Sequence, residues 1–269
     1  KQVENDKVRL DRGQITTADL SQSESSLAGA QAQLTQSKSE LMISKLNYEN
    51  IIGKILDSNK LKKSAKAIVG IPNSLAEAIE LSKQYDPDIK IANLELIQSE
   101  KDLAISEADL KPTATLSFER SYADDLSSTL DRRDKDVLKA TVSWPFYSGG
   151  KKRSKISKNS NLIYRKRLLL EDSMKTTETN VGSAWSSLQS SKSFLNSVIS
   201  QVRAAKIANE GIAAEYQRGS RTTLDVIQSN SLLLSAEISL ANSQRNYLLA
   251  QYNLLKSIGL LNSFYLKLK

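Results

Sequence analysis

The chain has 269 residues, 39% hydrophobic and 25% charged, with only 10 glycines and 4 prolines. Leu, Ala, Ser, Gln, Lys and Glu dominate, which is typical of long amphipathic helices rather than of a β-sandwich or an α/β domain. There is no cysteine and no histidine, which excludes disulfides, thiolate metal sites and every mechanism that needs an imidazole.

The net charge of +8 and the pI near 9.4 permit binding to nucleic acid or to an anionic membrane surface. The basic residues are spread along predicted helices, where lysines commonly face water, so we interpret them as a solvated face. No stretch approaches the roughly 18 uninterrupted apolar residues that a transmembrane helix needs.

Residues 1–53 predict two helices joined by a tight reversal. Gly13, after Arg12, ends the first helix because only glycine takes up a left-handed C-cap without steric cost. Thr16 and Asp19 have the spacing of a capping box that starts the second helix. Leucines then recur at intervals of seven residues, as in coiled coils; they are Leu20, Leu27, Leu34 and Leu41.

Residues 54–73 contain several lysines and Pro72, and we interpret them as a connector. Residues 74–111 predict a short helix that ends before Pro87 and a longer helix that Pro112 stops. Helical periodicity ends at this second proline.

Residues 112–147 alternate between apolar and polar side chains. Thr113–Tyr122 and Asp136–Pro145 are the two alternating runs, and they predict a β-hairpin. Each run has about ten residues, the length that a tilted strand needs to cross a bilayer. Residues 123–135 between them are rich in Ser, Asp and Arg, and predict a loop suited to water. Aromatic residues occur at the ends of these runs, where the strands of a membrane barrel would meet the interface between lipid and water. They are Tyr122, Trp144, Phe146 and Tyr147.

A half-buried hairpin in a soluble α+β protein fits this alternation equally well. Two strands cannot stand alone in lipid, because their edges carry unpaired N–H and C=O groups. A membrane location would therefore require further strands from other subunits and from sequence missing here.

Residues 148–259 predict a long helical hairpin. Gly149 and Gly150 are interpreted as a hinge between strand and helix. Lys151–Arg218 contains no proline and, as one helix, would span roughly 100 Å, so it must pack laterally against other helices. A second helix returns part of that distance, and residues 260–269 form a C-terminal tail.

The second hairpin repeats the first reversal at an offset of 206 residues. Arg218-Gly219 aligns with Arg12-Gly13 and Asp225 with Asp19, and no gap is needed as far as residue 259. This duplication is evidence from the chain itself. On the same offset, about 130 residues of the first copy would precede Lys1, so we expect the chain to be incomplete at its N-terminus.

No pattern of residues predicts an active site. The Gly-Gly-Lys run at 149–151 lacks the spacing of a P-loop, and Asp124, Asp125 and Asp131 lack that of an EF-hand. The aromatic residues of the strands lack the surrounding basic stripe of a base-stacking surface. We therefore expect no enzyme activity, no cofactor, no metal and no nucleic-acid partner.

Two stretches resemble signatures of the TolC-like outer-membrane efflux and secretion channels. Residues 142–150, Val-Ser-Trp-Pro-Phe-Tyr-Ser-Gly-Gly, look like the strand-to-helix signature of that family. Residues 216–226, Tyr-Gln-Arg-Gly-Ser-Arg-Thr-Thr-Leu-Asp-Val, look like its periplasmic tip motif. With the duplication and the helix lengths, the resemblance covers essentially the whole chain, as the end of a first repeat and all of a second.

The resemblance implies a mainly α fold with a transmembrane β-hairpin, in which long antiparallel helical hairpins form part of a trimeric α-barrel and β-barrel channel. The hairpin would lie in the outer membrane of a Gram-negative-type cell, in contact with lipid, with its loop 123–135 extracellular and the helices in the periplasm. The implied function is a passive exit duct for efflux or type I secretion. The implied partners are two further copies of the chain, a periplasmic adaptor protein and an inner-membrane transporter.

By position, the resemblance places Asp225 at a narrow periplasmic aperture. Gln228 stands where a second acid of that aperture is expected. Tyr216 with Asp19, and Arg221, would occupy positions whose links hold the aperture closed.

The partner that the family pattern expects for Arg221 is at position 18, which is Ala18 here. The turns Arg12-Gly13 and Arg218-Gly219 would contact the adaptor. Two other classes of function stay open: a coiled-coil scaffold or adaptor-like rod without a pore, and a basic helical protein that binds nucleic acid.

Overall fold

The computed structural model describes residues 2–53, 68, 70–127 and 130–262. Over these residues the chain is mainly α-helical with one antiparallel β-hairpin, as predicted. The elements are α1 (Gln2–Asp11), α2 (Thr17–Ile52), α3 (Leu75–Tyr85), α4 (Pro87–Ala108), β1 (Thr113–Ser127), β2 (Leu130–Ser143), α5 (Lys151–Gln217) and α6 (Thr223–Ile258). Most of the predicted connector 54–73 and of the predicted tail 260–269 lies outside the described residues. None of the described helices combines the length and the apolar character needed to cross a membrane.

The elements divide into two compact units by their contacts. The first unit contains α1, α2, the part of α5 from Ser183 onward and α6 up to Lys256. The second contains α3, α4, the β-hairpin, the part of α5 up to Gly182 and residues 257–260. The helix α5 therefore contributes to two separate sets of contacts along its length.

The duplication predicted from the sequence is present in the first unit. The bounds of α6 are those of α2 displaced by 206 residues at both ends. Gly13 and Gly219, the glycines of the two reversals, have φ of 69° and 81°. The N–H of each glycine donates to the carbonyl three residues earlier, and the next N–H donates to the carbonyl five residues earlier, at 2.8 and 2.9 Å in the first copy and at 3.0 Å for both in the second. The same C-cap therefore makes both reversals.

Buried apolar side chains of the first unit lie along α5 and α6 rather than along α2. They are Leu188, Val198, Ala205, Tyr216, Val226, Ala236, Ala250, Leu254 and Leu255. On α2 the leucines at seven-residue intervals stay open, since Leu27, Leu34 and Leu41 are 46%, 56% and 51% exposed. The predicted coiled-coil stripe of α2 is thus not covered by the described part of this chain.

Polar contacts in the second unit hold α5 along α4. The Lys155 Nζ lies 2.8 Å from Asp109 Oδ2, and the Asn159 Nδ2 donates to Ser106 Oγ at 2.6 Å. The Lys155 ammonium lowers the pKa of the Asp109 carboxyl. These pairs fix the register of α5 against α4, directly after the β-hairpin.

The two strands form the predicted antiparallel hairpin, which begins with Thr113 opposite Ser143. The predicted loop over residues 123–135 is wrong in length, because β1 continues to residue 127 and β2 begins at residue 130. Polar side chains do not by themselves end a strand, because the hydrogen bonds that pair the two strands are made by backbone groups. Arg120 stands opposite Asp136 with Nε 3.5 Å from Oδ1, and such cross-strand pairs of opposite charge support continued pairing.

Gly259, directly after α6, packs against the backbone between α3 and α4. A Cβ at this position would lie 2.5 Å from the Tyr85 carbonyl oxygen and 2.9 Å from the Asp86 Cα. Gly53, its counterpart in the duplication, has a similar φ (76° against 83°), but a Cβ added there would have no atom within 4 Å.

We expect Gly259→Ala to lower the free energy of unfolding by about 2 kcal/mol more than Gly53→Ala, because only the first meets a backbone that must move. Thermal unfolding of the full-length protein, followed by circular dichroism, measures the difference. Equal shifts for the two variants would contradict the close approach at Gly259.

Candidate functional site

Each helical reversal carries the capping box predicted for it. The Thr16 N–H and Oγ1 donate to Asp19 Oδ2 at 2.9 and 2.8 Å, and the Asp19 N–H donates to Thr16 Oγ1 at 3.2 Å. Thr222 and Asp225 repeat this geometry at 3.0, 2.8 and 3.2 Å. The backbone hydrogen bonds from the two threonines lower the pKa of Asp19 and of Asp225. These bonds favour the charged form of both carboxylates, which are ionised at neutral pH as ordinary aspartates are.

Arg221 has a partner that the sequence did not predict. Its Nε donates to Glu215 Oε2 across the reversal at 2.7 Å. This carboxylate, with a smaller contribution from Asp225, raises the pKa of Arg221. Asp225 is half-buried in the first turn of α6, and Gln228 is exposed one turn later.

A buried carboxylate that the sequence analysis did not single out joins three helices near the reversals. Asp6 on α1 has no exposed surface. The Tyr216 hydroxyl on α5 donates to Asp6 Oδ1 at 2.6 Å, and the Ser23 hydroxyl on α2 donates to Asp6 Oδ2 at 2.5 Å. The Gln2 Nε2, one turn earlier on α1, lies 3.1 and 3.3 Å from the same two oxygens. Asp6 thus ties α1 to α2 and to α5.

The surroundings of Asp6 supply hydrogen-bond donors rather than a counter-ion. Among the ion pairs of the described residues, none involves Asp6. The Arg9 guanidinium carbon stands 4.3 Å from the centroid of the Tyr216 ring, which is a cation–π distance. A buried carboxylate is unfavourable unless its oxygens are hydrogen-bonded, so the Tyr216 and Ser23 hydroxyls stabilise Asp6 in its buried position.

Within this chain Tyr216 is bonded to Asp6 and not to Asp19, the partner that the resemblance implied. The Asp19 Oδ2 instead accepts two hydrogen bonds from its own N-cap threonine. A signal for Asp6 was present in the duplication. The offset places Ile212 at the matching position of the second copy, so an acid stands on a face that is apolar in the other copy.

The remaining predicted site residues lie on exposed surfaces. Arg12-Gly13 and Arg218-Gly219 are exposed at the two reversals. Gly149 and Gly150, the predicted hinge, have φ of 58° and 84° immediately before α5. The predicted interface aromatics are 58%, 65%, 89% and 82% exposed; they are, in this order, Tyr122, Trp144, Phe146 and Tyr147. Among the described residues, no cluster of acidic side chains is placed to hold a metal ion.

One face of the β-hairpin is apolar, and no other described part of the chain covers it. Leu116, Phe118, Leu138 and Val142 lie on it and are 67–74% exposed. The register sets Phe118 opposite Leu138, so these side chains form one continuous patch. The other face carries Thr and Ser side chains, among them Ser117, whose hydroxyl donates to the Lys139 carbonyl at 3.4 Å.

Known proteins share both sequence and fold with this chain. The model of a family described as outer membrane efflux protein matches residues 78–260, more than half of the chain. The outer membrane efflux protein BepC of Brucella suis biovar 1 (strain 1330) is 26% identical over 261 residues, which are 96% of this chain and 56% of BepC.

Solved structures show the same fold. The outer membrane protein VceC from Vibrio cholerae matches with a TM-score of 0.74 and 20% identity, over 96% of this chain and 62% of VceC. A membrane protein from Pseudomonas aeruginosa matches with a TM-score of 0.77 and 16% identity, over 96% of this chain and 60% of that protein. The chain therefore spans a little over half the length of these relatives.

Proposed function

The chain belongs to the outer membrane efflux protein family, and we propose that it is part of a channel subunit that forms an exit duct across the outer membrane. Three copies of the full-length subunit would give their hairpins to a barrel in the membrane and their helices to a tunnel in the periplasm. An inner-membrane transporter and a periplasmic adaptor protein would supply the cargo, by efflux or by type I secretion.

The observation that carries this proposal is the uncovered apolar face of the β-hairpin. Side chains such as Leu116 and Phe118, 74% and 67% exposed, form a patch of the kind that marks a membrane or protein interface rather than a solvated surface. Within the described residues the hairpin pairs with no third strand, so both of its edges are open, and lipid does not tolerate unpaired backbone groups. Strands from other subunits would pair with these edges while lipid covers the apolar face.

The leucine stripe of α2 supports lateral association of the helices. Leu27, Leu34 and Leu41 recur every seven residues and are about half exposed. Stripes of this kind are covered by a neighbouring helix in coiled coils. In the proposed trimer the neighbour is a helix of the next subunit.

We assign the reversal end of the helices to the periplasmic aperture. The capped Asp225 carboxylates would form a ring of negative charge there, with Gln228 one turn further along. The bonds of Asp6 to Tyr216 and Ser23 would hold the helices of each subunit together at this end. The turns Arg12-Gly13 and Arg218-Gly219 would meet the adaptor.

The proposed membrane location of the hairpin is tested by comparing an arginine substitution on its apolar face with one on its polar face. Leu116→Arg should remove the full-length protein from the outer-membrane fraction and abolish its heat-modifiable trimer, because an arginine facing lipid at mid-depth costs about 2–4 kcal/mol per subunit. Fractionation and gel migration at two temperatures measure both effects.

Ser117→Arg is the matched control, since it places the same charge one residue further along on the opposite face. It should leave both fractionation and trimer intact. Equal behaviour of the two variants, or recovery of the unmodified protein as a water-soluble monomer, would contradict the proposal.

A further inference from the structure

Basic residues occur along all the helices, but the excess of basic over acidic residues comes from one stretch of the chain. Residues 137–170 contain nine Lys and Arg and no Asp or Glu. The whole chain has a formal net charge of +8. The residues outside this stretch therefore have a net charge of −1, which means that their basic and acidic residues nearly balance. Five of the nine basic residues lie in the first two turns of α5; they are Lys151, Lys152, Arg153, Lys155 and Lys158, which we call the basic turns.

The basic turns oppose the dipole of their own helix. The first turn of α5 contains no acidic residue, and cations at a helix N-terminus are unfavourable because the N–H groups there already carry partial positive charge. The positive charge of Lys155 is offset by its ion pair with the Asp109 carboxylate, and the Lys152 Nζ donates a hydrogen bond to the Asp109 carbonyl. The exposed Lys151, Arg153 and Lys158 take part in no ion pair or side-chain hydrogen bond of the described residues. An anion from outside the chain would offset these three charges.

The neighbours of the basic turns point to the kind of anion. Trp144, Phe146 and Tyr147 precede them directly and are 65%, 89% and 82% exposed. Tyr147 stands four residues before Lys151, so at most about 14 Å of chain separates the aromatic group from the first lysine. Exposed aromatic residues followed by a basic cluster are the pattern of a membrane interface, where rings lie at headgroup depth and cations meet anionic headgroups.

We propose that the basic turns bind the phosphate headgroups of anionic phospholipids in the leaflet on the helix side of the outer membrane. This inference rests on the proposed function, because it needs the hairpin in lipid. The aromatic group sets the depth of the hairpin, and Lys151, Arg153 and Lys158 select acidic headgroups over zwitterionic ones. The contact offsets the unfavourable charge at the start of α5 and anchors that helix beneath the bilayer.

The test uses the full-length protein in nanodiscs that contain equal parts of phosphatidylcholine and phosphatidylglycerol. Lipids that stay bound to the released trimer are counted by native mass spectrometry. We expect the unmodified protein to retain phosphatidylglycerol over phosphatidylcholine by at least about fivefold, the discrimination that one basic residue near an anionic surface supplies. The triple variant K151Q/R153Q/K158Q should lose that preference, and added salt should weaken it in the unmodified protein.

K192Q/R203Q/K206Q is the matched control, because it removes two lysines and one arginine from exposed positions further along α5. It should keep the preference for phosphatidylglycerol. Should K151Q/R153Q/K158Q fail to assemble, the charge-conserving K151R/R153K/K158R is compared with the unmodified protein and is expected to match its preference.

No preference in the unmodified protein, or an equal loss in the control variant, would overturn the inference. Single-channel recordings on the same nanodisc-purified proteins keep this outcome apart from the proposed function. If the protein conducts in bilayers but shows no headgroup preference, only the proposed lipid contact is contradicted. If the protein never inserts into bilayers, the proposed channel function is contradicted.

Discussion

Asp6→Ala should release α1 from α5 and increase the single-channel conductance of the full-length protein. The substitution leaves the buried Tyr216 and Ser23 hydroxyls without their acceptor, whose bonds are 2.6 and 2.5 Å long in the unmodified chain. Buried donors without acceptors cost about 1–3 kcal/mol each. We therefore expect the amides of α1 to lose protection against hydrogen exchange by roughly 30-fold, which corresponds to about 2 kcal/mol of local opening.

A double-mutant cycle separates this contact from the link that the family resemblance implied. Tyr216→Phe and Asp6→Ala should be non-additive in both conductance and hydrogen exchange, because they remove the same bond. Tyr216→Phe and Asp19→Ala should be additive, since Asp19 is bonded to Thr16. Coupling between Tyr216 and Asp19, with none between Tyr216 and Asp6, would show that the aperture is held by the other carboxylate.

Asp225→Asn should reduce the cation selectivity of the open channel. Its carboxylate is ionised at neutral pH, as an ordinary aspartate is, and the Thr222 hydrogen bonds lower its pKa further. Three copies of this charge in a narrow ring attract cations and repel anions. One unit charge acting through water at about 4 Å contributes about 1 kcal/mol. We therefore expect the ratio of cation to anion permeability, measured from reversal potentials in planar bilayers, to fall about fivefold.

Asp19→Asn is the control, because Asp19 has the same capping geometry and the same direction of pKa shift in the first copy. It removes an equal charge and should leave the permeability ratio within about twofold of the unmodified channel if Asp225 alone lines the constriction. Gln228→Glu should raise the ratio, since it adds an acid one turn further along α6. Unchanged selectivity in Asp225→Asn would rule out its place at the aperture.

The sequence by itself determined where the helices end and that the chain is duplicated. Gly13 and Gly219 end α1 and α5, and threonine caps start α2 and α6, because left-handed backbone and capping hydrogen bonds are decided within four or five residues. The alternation of Thr113–Tyr122 likewise predicted a strand, since the pleat itself sets the period of two. Each of these features depends on neighbours in the chain.

Only the tertiary structure decided the partners of the charged side chains and the length of the hairpin. Asp6 precedes Tyr216 by 210 residues, and no local rule joins them until α1 packs against α5. Arg221 pairs with Glu215 because the reversal folds one onto the other. The strands continue beyond their apolar segments because the backbone of each strand stays paired with the backbone of the other. A bond between distant residues depends on how whole helices and strands pack. The number of residues between two positions does not predict how far apart they lie in space.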